Sequence, residues 1–129
     1  MINQHEAEIL RAVVAQIKPK QLDMNTFGKR RGKDCKEVAC LAGHICLWDG
    51  YKLVDTALYQ KDTDILSPLR ADIIAGKLLC LDKLEIYSLF YIEFWPIFFQ
   101  INYINKINFS SVRLLILKDR VEHFIETGK

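Results

Sequence analysis

Apolar residues recur at helical spacing over most of the chain. Between Glu6 and Lys18, the residues Ile9, Leu10, Val13, Val14 and Ile17 fall on one face, and Pro19 ends the helix that this spacing predicts. The stretch from Lys20 to Lys33 reads as a loop. It holds Gly28, Gly32 and a basic cluster, with only Leu22, Met24 and Phe27 as apolar anchors. Asp34 then reads as an N-cap, with Glu37 three residues on to complete a capping box. A helix is expected from there to about Trp48, carrying Val38, Leu41, Ile45 and Trp48 on one side. The small residues Ala39, Ala42 and Gly43 let a second helix approach it, and Asp49-Gly50 stops it.

Tyr51 to Leu66 has no dominant period, and Tyr51-Lys52-Leu53-Val54 reads either as a short strand or as an anchored loop. Ser67-Pro68 is a helix start, with Ser as cap and Pro at the first helical position. Leu69, Ile73, Ile74 and Leu78 follow before a break at Leu81-Asp82. Asp82 with Glu85 repeats the capping pattern and opens a short helix through Phe90. Trp95-Pro96 breaks the chain again, and Ile97 to Ile104 makes a further helical piece. After a connector from Asn105 to Phe109, Ser110 or Ser111 caps a last helix carrying Val112, Leu115, Ile116, Val121, Phe124 and Ile125, with Gly128 at its C-terminal end. The expected fold is all-α, one compact domain over residues 1–129 with five to six non-parallel helices.

One segment tests a soluble reading. Ile86 to Ile104 is long and apolar enough to resemble a membrane span. Glu93 and Pro96 stand near its middle, where a carboxylate costs about 3 kcal/mol on insertion scales and a proline interrupts the helix. Buried core is therefore the expectation, with no membrane partner. The first residues show no basic stretch followed by an apolar run, so a cytoplasmic protein is expected. The four cysteines, Cys35, Cys40, Cys46 and Cys80, are then expected as thiols rather than disulfides.

Charge adds an asymmetry. The net charge is +2, but Lys18 to Lys36 contains seven basic residues against Asp23 and Asp34, giving +5 there and −3 elsewhere. The run Gly28-Lys29-Arg30-Arg31-Gly32-Lys33 fails as a phosphate loop: its glycines are too close, and Asp34 stands where Ser or Thr should follow the lysine. Lys29, Arg30, Arg31 and Lys33, in a basic loop reaching Lys36, read first as a solvated loop and otherwise as candidates for an acidic protein surface or for nucleic acid. The other candidate is aromatic. Tyr87, Phe90, Tyr91, Phe94, Trp95, Phe98, Phe99 and Tyr103 are more large rings than one small core hides, and the surplus is expected to form a partner-binding patch that includes Phe98 and Phe99.

The chemistry-bearing residues centre on Cys35, Cys40 and His44. Cys35, beside Lys33 and Lys36 in the first turn of the expected helix, would have an activated thiol, with His44 or His123 as a base. Cys40 and His44, four apart on one helix face, would present two zinc ligands. The plainer expectation is that all three are core or boundary residues and that no metal or other cofactor is bound.

The segment Cys35-Lys36-Glu37-Val38-Ala39-Cys40-Leu41-Ala42-Gly43-His44 resembles a family of short, uncharacterised bacterial and phage proteins. Their shared signature reads Cys-Gly-Thr-x-x-Cys-Ile/Leu-Ala-Gly-His/Trp. Leu22-Asp23-Met24-Asn25-Thr26-Phe27-Gly28, Leu89-Phe90, Trp95-Pro96 and Arg120-Val121-Glu122-His123-Phe124-Ile125-Glu126-Thr127-Gly128 are similar too. The chain departs from the pattern at Lys36 and Glu37, where the family has Gly-Thr. The resemblance implies a compact helical domain and no particular activity. The expected function is a non-enzymatic protein-interaction module, a small regulator or inhibitor of bacterial or phage origin that binds another protein or a second copy of itself. The alternatives are a nucleic-acid-binding protein using residues 29–36, and a zinc-binding or cysteine-dependent protein built on Cys35, Cys40 and His44.

Overall fold

The computed structural model describes residues 2–24, 29–31, 36–54, 58–61, 64–66, 71–106 and 109–129. Among them are the helices that the periodicity predicts. Helix α1 (Gln4–Gln16) starts at Asn3, whose side chain accepts from the Glu6 amide at 3.1 Å, and ends before Pro19. Ala7, Leu10, Val13, Val14 and, just past its end, Ile17 form its buried stripe.

The next helix is shorter than expected. Helix α2 covers only Leu41–Trp48, capped by Cys40 in extended backbone. The residues before it belong to a ribbon: β1 (Lys29–Arg31) pairs antiparallel with β2 (Lys36–Val38). The ribbon is rooted by a parallel bridge between Leu22 and Ala39, in which the Ala39 amide donates to Gln21 O and the Asp23 amide to Ala39 O, both at 3.0 Å. Those main-chain groups are satisfied by pairing across the chain, so this stretch has no call on helical hydrogen bonds. Glu37 therefore lies in a strand rather than in a capping box, and Asp34 lies outside the described residues, as do Gly28 and Phe27.

Tyr51 to Leu66 resolves into strands. β3 (Lys52–Val54), β4 (Leu58–Lys61) and β5 (Asp64–Leu66) form an antiparallel meander. Helix α3 (Ala71–Leu78) follows; its expected start at Ser67-Pro68, with Leu69, lies outside the described residues. It closes with the Leu81 amide on Gly76 O at 2.8 Å and the Cys80 amide on Lys77 O at 3.1 Å, which places Cys80 at φ +54°, where glycine is usual.

Helix α4 (Lys83–Phe90) has the expected reciprocal cap: the Glu85 amide donates to Asp82 Oδ1 at 2.8 Å and the Asp82 amide to Glu85 Oε1 at 3.1 Å. A single 3₁₀ turn at Ile92–Phe94 leads through Trp95 and Pro96 into α5 (Ile97–Asn105). Helix α6 (Ser110–Thr127) is capped by Phe109, so Ser110 and Ser111 are its first residues rather than its cap, and Gly128 ends it at φ +74°.

These six helices carry the core. Leu10 of α1, Leu41 and Ile45 of α2, Leu89 and Phe90 of α4, Tyr103 of α5, and Leu117, Val121 and Phe124 of α6 are essentially sealed from solvent. Small residues set how closely elements approach. A Cβ on Gly76 of α3 would lie 2.6 Å from Ile86 Cγ1 of α4, so those helices touch where α3 has no side chain. No helix among the described residues is long and apolar enough to cross a membrane.

Candidate interaction surfaces

The rings of the aromatic stretch divide between core and surface. Phe90, Trp95 and Tyr103 are buried, with Trp95 Nε1 donating to Leu89 O at 3.0 Å and its ring edge-on to Tyr103 at 5.3 Å. Tyr91 and Phe99 are half-buried. Tyr91 donates to Asp72 Oδ2 at 2.7 Å, and Phe99 lies 5.3 Å from the His123 ring. Tyr87, Phe94 and Phe98 face outward. The two sequence candidates on this stretch therefore separate: Phe98 is 69% exposed, whereas Phe99 faces α6.

Phe98 has apolar neighbours. Ile97, Ile101 and Ile104 share its face of α5, each more than half exposed. Helices α5 and α6 run antiparallel, since Tyr103 O accepts from Arg113 Nε at 3.2 Å and Phe99 stacks near His123. Phe109, Val112 and Leu115 therefore lie alongside, themselves between 37% and 59% exposed. Sequence reasoning expects a patch but not its second half, because the periodicity assigns Val112 and Leu115 to the apolar stripe of the last helix and leaves Phe109 in a connector.

No charged residue occurs in α5. Arg113, the nearest cation on α6, is drawn inward over the Tyr103 ring at 4.3 Å. Among the exposed charges nearby, Glu93 precedes α5 and Lys106 follows it, while Lys118 and Asp119 lie on α6.

The basic candidates occupy the ribbon. The register sets Lys29 opposite Val38, Arg30 opposite Glu37 and Arg31 opposite Lys36, so four basic residues lie on two short paired strands. Lys33 lies outside the described residues.

Cys40 and His44 are close in sequence but are not arranged as ligands. Cys40 is buried at the helix cap, and burial pushes its thiol up to about 11, far from a ready nucleophile or thiolate ligand. His44 Nε2 lies 2.7 Å from Gln21 O, so it is committed to the bridge that roots the ribbon, and burial lowers its pKa. Cys35 lies outside the described residues. No group of three or more His, Cys, Asp or Glu able to hold a metal occurs among the described residues. Burial likewise raises Cys46 to about 12, while Cys80 is exposed and its Sγ lies 3.6 Å from Glu6 Oε1.

Two clefts open among the described residues. One of about 200 Å³ lies between Val13, Gln16, Gln21, His44, Leu47 and Trp48. The other, about 270 Å³, lies between α1 and α6, where Arg11 Nε and Nη2 hold the Glu122 carboxylate at 2.8 and 2.9 Å. Both fall below the roughly 300–1,000 Å³ of ordinary small-molecule sites.

Sequence reasoning missed Arg120. Its side chain is fully buried, with Nη2 donating to Ser88 O at 2.8 Å, Ser88 Oγ at 3.1 Å and Lys129 O at 2.8 Å. The Trp95, Phe99 and Phe124 rings surround it at 5.8 to 5.9 Å, and burial lowers its pKa to about 10. Nothing in a basic residue three before a histidine signals such a position.

No protein-family model, curated protein or solved structure matches the chain significantly.

Proposed function

We propose that this chain is a non-enzymatic protein-interaction module that docks through the outer face of α5 and the first half of α6. One observation carries the reading: Ile97, Phe98, Ile101, Ile104, Phe109, Val112 and Leu115 are large apolar side chains exposed on adjoining segments. At roughly 150–200 Å² per side chain their exposed fractions amount to about 600–800 Å², whereas the largest apolar patch of a typical monomer is about 300–600 Å². A face of that size left in water invites association. The burial of the Cys40 and Cys46 thiols and the committed His44 imidazole give catalysis at those residues less support.

The test is photo-crosslinking in cells, with a photoreactive phenylalanine analogue placed at position 98 and, as a control, at the exposed Ile73 on α3. Adducts with protein formed at 98 and absent at 73 are expected. A position-98 variant that yields no protein adduct removes the reading.

The ribbon supports a second reading. A two-stranded antiparallel ribbon with Lys29, Arg30, Arg31 and Lys36 suits a nucleic-acid groove, where such ribbons read or grip the duplex. That reading requires affinity for DNA or RNA that falls steeply with salt and with replacement of Arg30 and Arg31 by Glu. Indifference to both nucleic acids at low salt excludes it.

A further inference from the structure

We infer that the occupant of the α5–α6 face is a second copy of the chain, related by a two-fold axis crossing α5 near Ile101. The inference rests on the preceding reading of the face as a protein-docking surface and names its partner.

Area is the first argument. The exposed apolar surface of about 600–800 Å² approaches the roughly 800 Å² that each partner contributes to a standard interface. A two-fold interface needs no other surface, because the same patch serves both sides.

Charge is the second. Across a two-fold axis a residue near the centre meets its own copy, so any charge there faces its like, which costs several kcal/mol. The α5 part of this face carries none: the helix has no Asp, Glu, Lys or Arg, and Arg113 is turned in over Tyr103. A partner recognised by opposite charge would find nothing along α5 to pair with.

The ends supply the third argument. A two-fold axis across α5 sets the two α5 helices antiparallel, so the end of one copy meets the opposite end of the other. The exposed Lys106 follows the C-terminal end of α5, and the exposed Glu93 precedes its N-terminal end. Lys106 of each copy then approaches the partner's Glu93. Attraction at both ends and the lack of charge along α5 favour this orientation over a parallel one, in which each end would meet its like.

The experiment is sedimentation velocity of the full chain over a micromolar to millimolar range. The wild type is expected to reach twice the 15.0 kDa monomer mass. Ile101→Glu, which puts two carboxylates at the axis, should weaken association by about a hundredfold or more. Ile101 is half exposed, so its far-UV circular dichroism should match the wild type; Ile104→Ser serves if it does not. Ile73→Ser, at an exposed apolar position on α3, should leave the dimer intact. Lys106→Glu should weaken the dimer by about tenfold, and adding Glu93→Lys should restore most of that loss.

A wild type that stays monomeric throughout overturns the inference. If position 98 nevertheless crosslinks to a different protein, the docking reading stands without self-association. If the monomer instead binds phosphatidylcholine vesicles and Ile101→Glu abolishes that binding, both readings fall. A dimer insensitive to Ile101→Glu and Ile104→Ser also overturns the inference, since the copies then meet elsewhere.

Discussion

Replacing Arg120 by methionine and, separately, by alanine weighs a buried charge against its hydrogen bonds. The guanidinium is fully buried with no Asp or Glu bonded to it, and Nε and Nη1 make no hydrogen bond. Burial alone moves its pKa from 12.5 to about 10, a penalty of about 3 kcal/mol at 1.36 kcal/mol per unit. Against that stand three bonds from Nη2, each worth about 1.5–3 kcal/mol with a charged donor, though they share one nitrogen and sit at the low end. The two sides nearly cancel.

Methionine keeps the stem packed among Trp95, Phe99 and Phe124 and removes penalty and bonds together. The acceptors it frees belong to the half-buried Ser88 and the exposed Lys129, where water can replace the donor. Arg120→Met should therefore cost within about 1.5 kcal/mol, as exchanges of buried ionic groups for apolar ones of similar size often do. Arg120→Ala removes the same penalty and the same bonds and also leaves a cavity, which adds about 2–5 kcal/mol. Urea unfolding followed by the fluorescence of Trp95, 5.9 Å from the guanidinium, gives both values by linear extrapolation if the slopes agree. A methionine variant as damaged as the alanine one, with both beyond about 3 kcal/mol, would refute the reasoning and show that the hydrogen bonds outweigh both the burial penalty and the packing.

Two further outcomes follow from the packing and the titration of single residues. Gly76→Ala should destabilise by about 1–3 kcal/mol despite alanine's higher helix propensity, because its Cβ would meet Ile86 Cγ1 at 2.6 Å; adding Ile86→Ala should recover part of the loss, and a chemical-denaturation cycle showing no coupling would contradict the contact. Burial lowers the pKa of His44 below 6.5, so the unfolded chain binds a proton that the folded one resists, and the stability present above pH 6.5 is lost as the pH falls through the folded pKa. His44→Gln, compared between pH 7 and 5.5, should fall less steeply than the wild type by up to about 1.4 kcal/mol per pH unit, and parallel curves would show that His44 titrates as it does in the unfolded chain.

The elements legible in the sequence are those whose signals are local. Asp82 and Glu85 make the reciprocal cap with no help from the rest of the chain, and Pro19, Pro96 and Gly128 mark breaks through their own backbone chemistry. The helix expected from Asp34 fails for the opposite reason. Glu37 and Val38 suit a helix well enough, but the Ala39 amide finds Gln21 O eighteen residues back, and a pairing at that distance leaves no mark in a local pattern. The β-meander is ambiguous on the same grounds. Its strands are three or four residues long, too short for an alternation to show itself, and their register depends on neighbours.

The docking face is legible as a surplus and illegible as a place. From Ile97 to Ile104 only Gln100 and Asn102 are polar apart from the Tyr103 hydroxyl, so the helical period is present without a phase: no polar side announces which way is out. Adjacent residues such as Phe98 and Phe99 are interchangeable to sequence reasoning, yet a helix sets them about 100° apart. Tertiary structure supplies the phase. Tyr103 is sealed against Trp95, Phe99 lies one turn before it on the same side, and the remaining apolar positions are turned outward. A surface helix normally spends its outer face on charged residues that keep it in water. The lack of any on α5 is intelligible if that face is normally covered, and an antiparallel second copy covers it without bringing like charges together.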